Sequence, residues 1–333
     1  MNLQYRIDLL VQLGKYMLSN EEEWIAVKER AGYENGWFIR EFVENATNNL
    51  AQLLNEKDLQ DWASAYSLPA ETASPKTVGI VMAGNIPLVG FHDLLCVFIA
   101  GHKAKIKASS KDNVLIKHLA QKLAAWNDEV NELIVFSELL KNCDAYIATG
   151  SNNTAGYFDY YFGKFPNIIR RNKTSVAVLS GEETTEDLSA LADDVFLYFG
   201  LGCRNVTKLY VPAGYDFVPM IQAFAKYNHL ADHHKNKNNY DYNLALHILN
   251  KKFYMSTPSL LLIEEEQVFS PISQLNYSFY ESAPGLIKGL KERTDLQCIV
   301  GAGESFIPFG KSQSPGLNDY ADGIDTMAFV SRL

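Results

Sequence analysis

Apolar residues recur at three- and four-residue steps along the first part of the chain, at Leu3, Ile7, Leu10, Leu13 and Met17 and again at Phe38, Phe42, Ala46 and Leu50. That period marks amphipathic helices, each with one face to bury, and predicts a helical layer over residues 3–66. The segment Leu68-Pro69-Ala70-Glu71-Thr72-Ala73-Ser74-Pro75 ends the pattern, because two prolines and small polar residues cannot continue a helix. From Thr77 the period changes. Residues 77–82 (TVGIVM), 103–107 (KAKIK), 132–136, 144–149 (DAYIAT) and 174–179 (TSVAVL) read as short strands, with helices over 89–100 and 114–125. Strands alternating with helices of this length predict right-handed crossovers and a parallel sheet. Ligands bind such sheets beyond the carboxyl ends of the strands, where Gly84-Asn85 and Gly150-Ser151 stand. After Gly181 a helix runs up to Gly200. Strands at 208–211, 259–263 and 298–300 and helices over 217–230 and 242–251 then predict a second α/β lobe, with the polar run 233–239 as a loop.

Composition narrows the class. With 333 residues, 47% of them hydrophobic and 21% charged, the chain can bury a substantial core, which excludes disorder. The formal charge of −9 opposes general nucleic-acid binding. Cys96, Cys143, Cys203 and Cys298 are dispersed without a CxxC pair, which points to thiols in a reducing compartment. The N-terminus lacks the pattern of a signal peptide. The most apolar stretch, 86–100, contains His92 and Asp93 and falls short of the ~20 residues of a membrane span. These features predict a cytoplasmic protein.

Four segments carry candidate chemistry. Cys203 lies in Phe199-Gly200-Leu201-Gly202-Cys203-Arg204-Asn205, where two glycines allow close backbone approach and Arg204 is an adjacent cation. Positive charge favours the thiolate, the nucleophilic form; a lone cysteine is otherwise a buried structural thiol, as Cys96, Cys143 and Cys298 read. Asn85, in Gly84-Asn85-Ile86-Pro87, could offer an amide to a developing oxyanion, although Gly-Asn before Pro is also ordinary turn chemistry. Gly150-Ser151-Asn152-Asn153-Thr154-Ala155-Gly156 joins a strand to a helix, which suits either a phosphate or a simple N-cap. Lys103, Lys105 and Lys107, followed by Ser109 and Ser110, form a basic strip in an acidic chain, with Arg170, Arg171 and Lys173 as a second cluster. Such runs are usually solvated faces, but two of them suggest pockets for phosphate-rich small molecules. His229-x-x-x-His233-His234 lacks a third ligand, so no metal site is expected.

Taken in order, these segments resemble the aldehyde dehydrogenase superfamily, specifically its acyl-CoA reductase branch, similar to the fatty acyl-CoA reductase of bacterial luminescence systems. The resemblance spans about residues 75–330. Asn85 with Ile86-Pro87 resembles the oxyanion turn, and the segment from Ala100-Gly101 through Lys107-Ala108-Ser109 resembles the stretch whose lysine and serine contact the adenosine ribose. Gly150-Ser151 with Gly156 resembles the pyrophosphate loop. Gly200-x-x-Cys203 resembles the nucleophile loop, and Gln267-Val268-Phe269-Ser270-Pro271 the strand whose Phe269 touches the nicotinamide end.

The resemblance implies an aldehyde-dehydrogenase-like α/β fold: a helical segment over 1–74, a Rossmann-type cofactor domain over 75–181, and a second α/β catalytic domain over 182–333. It implies catalysis by Cys203 and Asn85, cofactor contacts from Lys107, Ser109, Gly150, Ser151, Gly156 and Phe269, and an acyl-CoA substrate, and it admits a homodimer. Ile169-Arg170-Arg171-Asn172-Lys173, where hydrolytic members open on a glutamate base, carries no carboxylate. An acyl-enzyme would therefore persist until a thiol or hydride reached it, which favours thioester reduction. Ser110 stands where NAD-preferring members often carry a glutamate, so NADPH is the expected cofactor. Two alternatives stay open, namely an acyl-phosphate reductase of the glutamyl-phosphate kind and a catalytically silent nucleotide-binding scaffold.

Overall fold

The computed structural model describes residues 1–333. The chain forms two compact units, one of residues 1–172 with 316–333 and the other of residues 173–315.

In the first unit, α1 (Leu3–Met17), α2 (Glu22–Glu34), α3 (Arg40–Leu53) and α4 (Glu56–Ser64) form the helical layer that the periodicity predicts. Asn2 and Asn55 cap α1 and α4, each side chain accepting from the backbone amide three residues on. Leu13, Trp24, Phe42 and Leu59 are wholly buried between the helices. Then follow β1 (Thr77–Val81), α5 (Phe91–Ile99), β2 (Lys103–Lys107), α6 (Val114–Trp126), α7 (Val130–Leu133), β3 (Ile134–Phe136), β4 (Ala145–Thr149), α8 (Asn152–Phe162) and β5 (Asn167–Arg170). The strands pair in parallel in the order β3-β2-β1-β4-β5. The order reverses between β1 and β4, so the crevice beyond their carboxyl ends is where a doubly wound sheet binds ligands. The segment 132–136, read as one strand, splits into α7 and β3.

The second unit comprises β6 (Thr174–Val178), α9 (Thr185–Phe196), β7 (Val206–Pro212), α10 (Val218–Phe224), α11 (His234–Leu249), β8 (Met255–Ser256), β9 (Leu261–Glu264), β10 (Gln274–Tyr280), α12 (Ala283–Lys291) and β11 (Leu296–Gly301). Its sheet runs β11-β6-β7-β10-β9-β8, parallel except for the β8–β9 pair. Residues 173–181, grouped with the first lobe in the sequence reading, lie in this unit, because β6 pairs with β7 and β11. An all-buried strand looks the same in either sheet, and only its hydrogen-bond partners distinguish them. The polar run 233–239 opens α11: His233 caps it, and the buried Asn236 donates to the Leu230 and Ser259 carbonyls. A final helix, α13 (Thr326–Val330), belongs to the first unit, where Thr326 accepts from Arg170 and the Val330 carbonyl meets His102.

Candidate active site

Three turns gather at the carboxyl edge of the first sheet. The turn after β1 carries Asn85, exposed, between buried Gly84 and buried Leu88. A Cβ on Gly84 would stand 2.5 Å from Ser109 Oγ, so only glycine lets this turn approach the turn after β2. Leu88 is left-handed, with φ of 58°, and its amide donates to Asp112 Oδ2 at 2.6 Å. Ser109 and Asp112 close one turn through the Asp112 amide and the Ser109 carbonyl, 3.2 Å apart. Along β2, Ala104 and Ile106 are buried while Lys103 and Lys107 are exposed, the alternation that the sequence predicts.

After β4, Ser151 caps α8, its hydroxyl accepting from the Thr154 amide at 3.3 Å. Gly150 has no room for a side chain, since a Cβ would meet the Phe158 ring at 2.9 Å. Residues 151–154 are exposed, so the amides of this helix start face outward. Gly156 lies within α8 beside open space. Among the residues of this unit, the structure brings together the Asn85 turn and Ser109.

In the second unit, Cys203 is half-buried in a tight turn immediately before β7. The Asn205 amide donates to the Gly202 carbonyl at 3.1 Å, which puts Cys203 and Arg204 at the centre of the turn. Asn205, wholly buried, clamps it: Oδ1 accepts from the Gly202 amide at 2.8 Å, and Nδ2 faces the carbonyls of Asp194, Val195 and Leu197 at 3.1, 3.4 and 2.8 Å. Upstream, Tyr198, Phe199 and Gly200 are all left-handed, with φ of 56°, 55° and 73°. From β6, Ser175 Oγ donates to the Cys203 carbonyl at 3.0 Å and lies 3.0 Å from Cys298 Sγ. A cavity of about 30 Å³ lies against Phe199 and Gly200 and is also lined by Thr207, Asn236, Ser270 and Gln274.

Phe269 is exposed on an irregular segment between β9 and β10, where the sequence reading has a strand. That segment is held by buried side chains of the two central strands. Thr207 donates to the Val268 carbonyl at 2.6 Å, Asn276 to the carbonyls of Gln267 and Phe269 at 2.9 and 3.2 Å, and Lys208 to the Glu265 carbonyl. Burial pushes the Lys208 amine down to about 8, against the pull of Glu264, Glu265 and Glu266. Asn205, immediately before β7, thus pins the turn of Cys203, and Thr207 and Lys208, at the start of β7, help to pin the segment of Phe269.

Other sequence signals have structural explanations. Arg170 is buried and pairs with Asp93 at 2.6 Å and Thr326 at 2.7 Å, so it is no part of a phosphate pocket. Arg171 pairs with Asp159. No group of three or more His, Cys, Asp or Glu side chains is placed to hold a metal ion. Asn205 and Asp112, missed in the sequence, show only in their side-chain partners, since an isolated Asn or Asp near a turn has no local mark of such a role.

No family model and no curated protein matches the chain. Solved structures do. An NAD-dependent aldehyde dehydrogenase from Sinorhizobium meliloti superimposes with a TM-score of 0.64 at 11% identity, over 90% of this chain and 70% of that one. An indole-3-acetaldehyde dehydrogenase from P. syringae gives 0.65 at 12%, over 90% and 72%. A Mycobacterium tuberculosis aldehyde dehydrogenase complexed with NAD+ gives 0.62 at 13%, over 90% and 73%. The chain has the aldehyde-dehydrogenase fold.

Proposed function

We propose that the chain reduces an acyl-CoA thioester to an aldehyde and CoA, with NADPH as reductant and Cys203 as the nucleophile. The observation that carries this reading is the Cys203 turn: a half-buried thiol held by Asn205 and Ser175 behind three left-handed residues, on the aldehyde-dehydrogenase fold.

The Cys203 thiolate attacks the thioester carbonyl, and the oxyanion rests on the Asn85 side-chain amide and the Cys203 backbone N–H. The carbon–sulfur bond to CoA breaks, CoA leaves as its thiolate, and the acyl group stays on Cys203. Segment 169–173 offers no carboxylate to activate water, and the nearby Asp93 is committed to its ion pair with Arg170. The acyl-cysteine is therefore protected from hydrolysis. The first unit fits a dinucleotide: Gly150 leaves no side chain across the outward-facing start of α8, and Lys107 is exposed beside Ser109. Lys107, Ser109, Gly150, Ser151 and Gly156 would hold it, and Phe269 is the residue that would contact its nicotinamide end; bound, it would supply a hydride for the acyl carbon. The resulting thiohemiacetal alkoxide re-forms its carbonyl as the carbon–sulfur bond breaks, and the aldehyde leaves with the Cys203 thiolate restored. Ser110, exposed and uncharged at physiological pH, does not repel a 2′-phosphate, which supports NADPH over NADH.

The test is NADPH consumption with short-, medium- and long-chain acyl-CoAs, for the parent and Cys203→Ala. Consumption with release of CoA and aldehyde, abolished in the variant, is expected. An equal rate in the variant overturns the assignment, and turnover with acyl phosphates alone replaces the substrate class.

A further inference from the structure

The turn that carries Asn85 is tied at both ends to a single turn on the next strand. On one side, Gly84 packs so closely on Ser109 that no Cβ fits. On the other, Leu88 is held left-handed by its hydrogen bond to Asp112. Leucine does not adopt this conformation without support, and it is only 2% exposed, so neither solvent nor glycine-like freedom supplies that support. The acceptor that does so is a carboxyl group, 7% exposed, whose Oδ1 has no hydrogen-bond partner. The turn bearing Asp112 is braced in its own right by Asn35 at the end of α2, whose side chain donates to the Lys111 carbonyl at 3.1 Å.

We infer that Asp112 is the positioning residue of the Asn85 turn. It fixes Leu88, and through Leu88 the placement of the Asn85 amide, relative to the Lys107–Ser109 segment. The inference rests on the oxyanion role proposed above for Asn85. It gives the helical layer a function: α2, through Asn35, Lys111 and Asp112, braces the turn that receives developing charge. The tether needs only an acceptor from this side chain, the oxygen that the Leu88 amide reaches at 2.6 Å; burial pushes the carboxyl up to about 7 and the Leu88 amide pulls it down.

The test compares Asp112→Ala and Asp112→Asn in the full chain by two readouts, hydrogen exchange at the Leu88 amide and steady-state kinetics with NADPH and acyl-CoA. Asparagine keeps an acceptor for Leu88 and should retain both amide protection and kcat. Alanine removes it and should speed Leu88 exchange and lower kcat by about tenfold, with KM for acyl-CoA within about twofold and the rate of Cys203 alkylation unchanged. Unchanged Leu88 protection in Asp112→Ala overturns the inference, as does unchanged kcat. If Asp112→Ala does not fold, Asp112→Asn decides: protection and kcat both kept support the role, and kcat lost with protection intact overturns it. Absence of turnover in the parent would overturn the proposed reaction alone, because Leu88 exchange still reports on the tether.

Discussion

Three consecutive left-handed residues, two of them aromatic, lead into the Cys203 turn. The conformation costs a non-glycine residue roughly 1–2 kcal/mol, so something nearby must offset it. Tyr198 and Phe199 are both buried, and the Phe199 ring lies 4.5 Å from that of His233. Asn205 adds its hydrogen bonds, and the Asp194 side chain holds the amides of Gly310 and Ser312 at 2.6 and 3.0 Å. Strain maintained in this way concentrates at sites where backbone placement matters to function. Asp112 presents the same economy in a titratable form. Its folded value, about 7, lies above the ordinary 3.8. Between those values the unfolded chain releases a proton that the fold retains, so stability falls as pH rises through this window and stays low above about 7. Asp112→Asn, uncharged throughout, should gain on the parent over the same window, by on the order of 1–4 kcal/mol above pH 7 and little below pH 4. Urea denaturation at pH 4 and pH 8 measures the difference, and a gain that is the same at both would refute it.

At the scale of elements, the ends matter more than the middles. Ser151 caps α8 and glycine at 150 clears its start, whereas Gly156 sits inside the helix with nothing within 4 Å of where a Cβ would be. A glycine there weakens the helix by about 0.5–1 kcal/mol relative to alanine. Gly156→Ala should therefore raise the melting temperature. If the open space beside it receives part of the dinucleotide, the added methyl should also raise KM for NADPH severalfold. Thermal melts and NADPH titration separate the two effects. Element boundaries were most legible where local signals converge: residues 103–107 are β2 end for end, because alternation and flanking turns agree. They were least legible in α11, whose asparagine-rich start has the composition of a loop. Asn236 and Asn243 donate to the Ser259 and Ile272 carbonyls, more than twenty residues away, and no local pattern reports that.

For the molecule as a whole, buried polar pairs tie distant segments of the first unit together. Arg170 on β5 meets Asp93 on α5 and Thr326 on α13, while Trp62 and Tyr66 both reach the Tyr320 hydroxyl, at 2.9 and 2.7 Å. Removing one member of a buried pair strands the other charge, which typically costs about 3–5 kcal/mol. Asp93→Ala should lose about that much in denaturant unfolding, and pairing it with Arg170→Met should recover a large part. A double variant no more stable than Asp93→Ala would mean that the ion pair itself, rather than the stranded arginine, sets the cost.

The sequence by itself determined the alternation of strands and helices, the turns at Asn85 and Gly150, and the glycine-flanked Cys203, because periodicity, breakers and turn residues act over a few neighbours. The tertiary structure alone decided that β6 joins the second sheet, that residues 316–333 return to the first unit, that Arg170 is an ion-pair partner rather than a phosphate ligand, and that Asn205 and Asp112 hold the two candidate turns. The partners of β6, Arg170 and Asp112 lie far away in the chain, and those of Asn205 lie in the preceding helix end and turn; in each case the pairing is set by how whole elements pack rather than by the residues immediately beside it.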